Sequence, residues 1–252
     1  ATGALQNPED VFTPEQQKRL KKARTSDETV IIRSEDEVDD PASRPAGDKP
    51  ITWHYIAKDV RTFAWACSDA FIYDACNLDG ILVQSVYPKE AMPLWSKSTQ
   101  MLRAAIDGYN KMWLHYPYPE ATNVNGIEGG MEYPMIIFCR ARKSEPGLYG
   151  VTTHEIGHNW FPMIVNTDER RHAWMDEGFD TFINYYSKGD WFEGEYGGRG
   201  DADSYTSSMR NPNRVPIYTY PDQLPGNLLG NLQYAKTAVG LVLLREQILG
   251  PD

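Results

Sequence analysis

Cysteine is scarce in this sequence, with three among 252 residues. Cys67, Cys76 and Cys139 form no C-x-x-C pair, and their odd number leaves no complete disulfide framework. All three read as buried thiols. Long apolar runs are also missing: none approaches the roughly 18 residues that a membrane span needs, so none is expected in this segment. Positive charge is the minority sign, with 25 Lys and Arg against 35 Asp and Glu and a net charge of −10. The basic residues are scattered, which excludes the patch or stripe that a phosphate backbone requires, and with it nucleic acid as a partner. The opening residues, Ala1-Thr2-Gly3-Ala4-Leu5, show no signal-peptide pattern and say nothing about compartment. What remains is a composition of 41% hydrophobic and 24% charged residues, that of a folded domain, and a length for one large domain or one and a half.

Residues 1–50 differ from the rest. Thr13-Pro14-Glu15-Gln16 combines a capping threonine, a proline at the first helical position and a glutamine three residues on, predicting a helix over about 14–24. An acidic stretch from Glu35 to Asp40 and then Pro41, Pro45, Gly47 and Pro50 read as linker. Beyond residue 50 we expect a strand over 51–56, an amphipathic helix over 60–73, a strand over 81–87 and a long or broken helix over about 89–114. A Gly-rich loop leads into a strand over about 131–138. Helices are expected over about 149–160, 172–187 and 231–249, with a loop rich in Gly, Asp, Asn and Pro from about 189 to 228.

His154-Glu155-Ile156-Gly157-His158 is an H-E-x-x-H motif on one of these helices. Two imidazoles four residues apart lie on one helical face and can bind one tetrahedral metal ion. Glu155 is rotated by about 100° from His154, which suits a general base acting on water beside the metal rather than a third ligand. The metzincin continuation is excluded, because Phe161 and Ile164 stand where it needs Gly and His. Glu177, in Trp174-Met175-Asp176-Glu177-Gly178-Phe179, is the candidate third ligand. Thr181, one turn later, is a candidate to hydrogen-bond a ligand. His54 and His115 read as core histidines and His172 as near the surface.

The pattern of His154, Glu155, His158 and, after eighteen further residues, Glu177 resembles the gluzincin metallopeptidases, and specifically the aminopeptidase N family. Gly129-Gly130-Met131-Glu132 is similar to that family's Gly-x-Met-Glu-Asn exopeptidase motif, with Tyr133 in place of its asparagine. Tyr234, in Gln233-Tyr234-Ala235-Lys236, resembles its catalytic tyrosine, and the segment Ile51 to Ala64 the entry into its catalytic domain. The resemblance covers about residues 50–250. It implies an α+β, thermolysin-like catalytic domain made of a small sheet and a mainly helical lobe, over 51–252, with residues 1–50 as the end of an upstream β-rich domain. It further implies one zinc ion on His154, His158 and Glu177, with Glu155 as general base, Tyr234 donating to the oxyanion, and Gly129, Gly130, Met131 and Glu132 binding the substrate.

The expected activity is zinc-dependent hydrolysis that releases amino-terminal residues from peptides. A carboxylate such as Glu132 can pin the free ammonium so that only the first peptide bond reaches the metal. A thermolysin-like endopeptidase and an inactive zinc-stabilised peptide-binding module are the alternatives. Relatives carry further domains, so the chain is expected to be a fragment of a longer polypeptide. Bacterial relatives are frequently exported, which suggests a periplasmic or secreted protein.

Overall fold

The computed structural model describes residues 1–47, 49–194, 205–206 and 209–250. The loop expected from 189 to 228 is therefore described in part, without 195–204 and 207–208. Contacts divide the chain into two units, Ala1–Lys111 with His115–Ile156, and Met112–Leu114 with Gly157–Asp252. Residues 1–47 lie within the first unit.

In the first unit, Thr13 and Gln16 form the expected reciprocal cap, Gln16 N–H donating to Thr13 Oγ1 at 3.3 Å and Thr13 N–H to Gln16 Oε1 at 3.0 Å. After β1 (Ala4–Leu5) and a short helix α1 (Pro8–Val11), that cap opens α2 (Pro14–Ala23). β2 (Val30–Arg33) follows, then β3 (Tyr55–Ile56), which pairs with β1. β4 (Ile72–Leu78) and β5 (Ile81–Tyr87) make a two-residue hairpin in which Asp79 and Gly80 both take positive φ, 50° and 91°. Asp-Gly is the pair such a turn favours. Helix α3 (Ser98–Met112) then carries the chain over to β6 (Glu120–Asn125), parallel to β5, as a parallel pairing requires. β7 (Gly130–Tyr133) and β8 (Ile136–Cys139) form a second hairpin. The resulting six-stranded sheet runs β2-β4-β5-β6-β8-β7, leaving β7 at an edge.

Leu20, Ala23, Ile32, Ala75 and Leu82 form a buried cluster between α2 and the sheet. A polar cluster lies within the fold as well: Asp74, 1% exposed, accepts from Tyr87 Oη at 2.6 Å and from the Thr99 hydroxyl. Burial raises the Asp74 carboxyl to about 6 against these two bonds.

Three expectations change here. Residues 60–73 form no helix, because their backbone finds other partners: Thr2 N–H donates to the Ala64 carbonyl at 2.8 Å and Arg33 Nη1 to those of Asp69 and Phe71 at 2.8 and 3.1 Å. The strand expected over 131–138 is two strands, turned at Pro134-Met135, where Met135 has φ 66°. Cys67, His54 and His115 are exposed rather than buried, whereas Cys76 and Cys139 are buried as expected.

Helix α4 (Glu145–Gly157) closes the first unit, and His158 keeps helical dihedrals (φ −60°, ψ −16°) before the backbone breaks at Phe161 and Pro162. In the second unit, α5 (Ala173–Trp191) packs on the helical run of 226–249. Their close approach depends on Gly178, where a Cβ would stand 2.3 Å from Thr237 Cβ and 2.7 Å from the Gln233 carbonyl. Tyr186 meets both Phe182 and Trp113 edge to face, and the Arg245 guanidinium lies 4.4 Å from the Tyr186 ring centre. No helix among the described residues is long and apolar enough to cross a membrane.

Candidate active site

Successive side chains alternate across a strand, so Gly130 and Glu132 share one face of β7 and Met131 and Tyr133 the other. The Gly130 face meets α4. A Cβ on Gly130 would stand 1.9 Å from Glu155 Oε1 and 3.2 Å from Val151 Cγ2, so glycine is what lets the Glu155 carboxylate lie against the edge strand. Glu132, two residues on, has a carboxylate oxygen within 4.8 Å of one on Glu155. Glu155 is 5% exposed and Glu132 half-buried. His154 is half-buried on α4. Tyr133, on the opposite face, packs edge-on against Phe138 with ring centres 6.0 Å apart. Tyr133 thus has an aromatic partner across the hairpin.

The turn before β7 is held by two arginines that the sequence reading did not single out. Arg140 Nε donates to the Ile127 carbonyl at 3.0 Å, and Arg142 donates to the Gly129 carbonyl. Both are on the chain just after β8, and nothing in their spacing announced this contact.

His158, in the second unit, is 1% exposed. Its Nδ1 donates to the Phe161 carbonyl at 2.8 Å, with Asp176 Oδ1 3.0 Å from the same nitrogen. A carbonyl opposite Nδ1 requires the proton there, which leaves the Nε2 lone pair for a ligand. Nε2 lies 3.4 Å from Glu177 Oε2 and 3.8 Å from Asp180 Oδ2. Nitrogen and oxygen donors at about 2.0–2.2 Å from a tetrahedral zinc stand roughly 3.3–3.5 Å apart. His158 and Glu177 therefore fit as two ligands of one zinc ion.

Tyr234 hydrogen-bonds Glu177, and burial, followed by the neighbouring Glu177 charge, raises its phenol well above the ordinary value. It stays protonated and able to donate. Thr181 is half-buried; the additional carboxylate beside His158 belongs to Asp180, fully buried one position earlier. Asp176 and Asp180 flank Glu177 on α5 and were legible as acidic neighbours of a candidate ligand, though not as partners of His158. His172 is half-buried, its ring 6.0 Å from that of Tyr220.

No family model matches the chain. Human endoplasmic reticulum aminopeptidase 1 is 27% identical over 125 residues, which are 45% of this chain and 13% of that protein. The M1 zinc metallopeptidase of Deinococcus radiodurans and a single-residue variant of it match at 17% and 16% identity, with TM-scores of 0.50 and 0.51. Each match covers 69% of this chain and 39% of theirs. The chain thus shares the mixed α+β fold of M1 zinc metallopeptidases over most of its length, and spans well under half of these relatives.

Proposed function

We propose that the chain is the catalytic part of a zinc peptidase that releases amino-terminal residues from peptides, with a thermolysin-like catalytic domain. The observation that carries this reading is the His158–Glu177 pair, 3.4 Å apart, with the other His158 nitrogen donated to a carbonyl. His154, four residues before His158 in the H-E-x-x-H pattern, completes the ligand set.

Zinc, when bound, supplies a Lewis acid that polarises the scissile carbonyl and acidifies water. The rest is done by this chain's side chains. Glu155 takes a proton from the attacking water and passes it to the leaving amine. Tyr234, kept protonated by its surroundings, donates to the oxyanion as it forms. Glu132 holds the substrate's ammonium, and β7, at the edge of the sheet, is where an extended peptide can add. The closeness of a Glu132 oxygen to one of Glu155, within 4.8 Å, supports an ammonium site beside the group that activates water.

Cleavage of an aminoacyl reporter should disappear with a chelator and return with zinc, while an amino-terminally blocked peptide stays intact. Activity indifferent to chelation would overturn the zinc mechanism. Cleavage of the blocked peptide would identify an endopeptidase, and metal-dependent peptide binding without turnover a binding module.

A further inference from the structure

Three adjacent strands carry polar side chains in one transverse row. Asp74 on β4 stands opposite Ser85 on β5, and Ser85 opposite Asn123 on β6, so all three project from the same face of the sheet. None is more than 1% exposed. Ser98 Oγ, at the start of α3, lies 2.9 Å from Ser85 Oγ and accepts from Asn123 Nδ2 at 3.0 Å; the same amide donates to Thr152 Oγ1 on α4 at 3.1 Å. Cys139 on β8 hydrogen-bonds the Thr152 side chain as well. Further along α3, Tyr109 Oη donates to the Thr153 carbonyl at 3.0 Å and lies 2.7 Å from the Thr153 hydroxyl. Tyr109, Thr152 and Thr153 are fully buried.

Apolar contact is non-directional and lets a helix roll against its neighbours, whereas hydrogen bonds hold to a narrow range of length and angle. Consecutive residues stand about 100° apart around a helix, so Asn123 and Tyr109 grip α4 from two directions and resist its rotation. The grip falls just before the chemistry. His154 and Glu155 come two residues after Thr152 and Thr153, about 200° further round, and project from the other side of α4. There Glu155 meets Gly130 of β7. With side chains reaching roughly 5–6 Å from the axis, a roll of about 10° carries the Glu155 carboxylate through ~1 Å. We infer that Asn123 and Tyr109 are positioning residues for Glu155, fixing the rotation of α4 about its own axis. The inference rests on the zinc-peptidase reading and adds to it two side chains that act through α4 rather than on the substrate.

The test combines steady-state kinetics with amide hydrogen exchange on the whole protein. Tyr109→Phe deletes one hydroxyl and keeps the ring. On an aminoacyl reporter its kcat should fall by about 10–100-fold at unchanged KM and zinc content, because only the transition state depends on where the base stands. Amides in the last turn of α4 should exchange faster than in the parent, with and without zinc. Thr152→Val, which takes away the acceptor of Asn123, should act in the same way, while Thr152→Ser restores the hydroxyl and keeps kcat within threefold of the parent. Tyr116→Phe controls for stability: it too removes a buried phenol from a backbone carbonyl, that of Glu120 at 3.0 Å, but not from α4. It should shift the urea midpoint comparably and leave kcat unchanged. A fall in kcat for Tyr109→Phe no larger than that for Tyr116→Phe would overturn the inference, as would α4 exchange that matches the parent. If the parent shows no chelator-sensitive cleavage, the peptidase reading fails and takes this inference with it. If the parent cleaves and Tyr109→Phe cleaves equally fast, the failure belongs to the positioning residues alone.

Discussion

Gly130→Ala separates position from presence in the proposed mechanism. The new methyl would begin 1.9 Å from Glu155 Oε1 and 2.8 Å from its Cδ. Ordinary contact is roughly 3.5 Å, so the carboxylate must retreat by about 1.5 Å or the edge strand must move. The Gly130 φ is negative, so alanine adds no backbone strain of its own. The clashing atoms are the tip of a flexible side chain, which puts the loss of stability near the low end of the ~1–3 kcal/mol typical of overpacking. Catalysis is less forgiving, because displacing a reacting group by about 1 Å reduces rate by about 100-fold, or ~2.7 kcal/mol of transition-state stabilisation. Steady-state kinetics on an aminoacyl reporter should therefore show kcat down by about two orders of magnitude, with zinc content unchanged, since Glu155 is not a ligand. A folded, zinc-loaded Gly130→Ala protein with kcat within threefold of the parent would refute Glu155 as the base at this position.

Three further outcomes follow from the same contacts. Glu132→Gln removes the ammonium's charge partner; kcat/KM for peptides with a free amino terminus should fall by about 10–100-fold, and equal losses on substrates with and without that amine would rule the role out. Gly178→Ala sets a methyl against Thr237 Cβ and the Gln233 carbonyl, neither of which can swing away; urea unfolding should show a loss of about 3 kcal/mol or more, and an unchanged midpoint would contradict the packing described. Asp74 is raised from 3.8 to about 6 in the fold, so the native state holds a proton that the unfolded chain releases as pH rises between these values. Stability should then decline by up to roughly 3 kcal/mol from about pH 4 to pH 6. Asp74→Asn should flatten that slope in chemical unfolding measured across this range, and an identical slope would show that another group carries it.

Local signals were read correctly where a residue's partner lies within a turn or so of chain. Thr13 and Gln16 are three residues apart, and their reciprocal cap formed as expected. The Asp79-Gly80 pair that turns the β4–β5 hairpin was not singled out, and β4 was missed because Ile72 and Tyr73 were assigned to the tail of a helix. Residues 60–73 defeated the periodicity argument because Thr2 and Arg33, far off in sequence, take up hydrogen bonds that a helix would have made internally. The exposed His54 and His115 failed for a related reason: aromatic neighbours in sequence did not become neighbours in a core.

The site divides along the same line. Sequence alone determined that His154, Glu155 and His158 share one helical stretch, because four residues are one turn wherever the helix packs. It also singled out Glu177, Tyr234 and Glu132 as the remaining candidates. Tertiary structure decided what each of them meets. The edge strand puts Gly130 against Glu155, period-two alternation turns Tyr133 away toward Phe138, and α5 brings Asp180 to His158. Those choices depend on which faces of separate elements come together, and spacing along a chain carries no record of that.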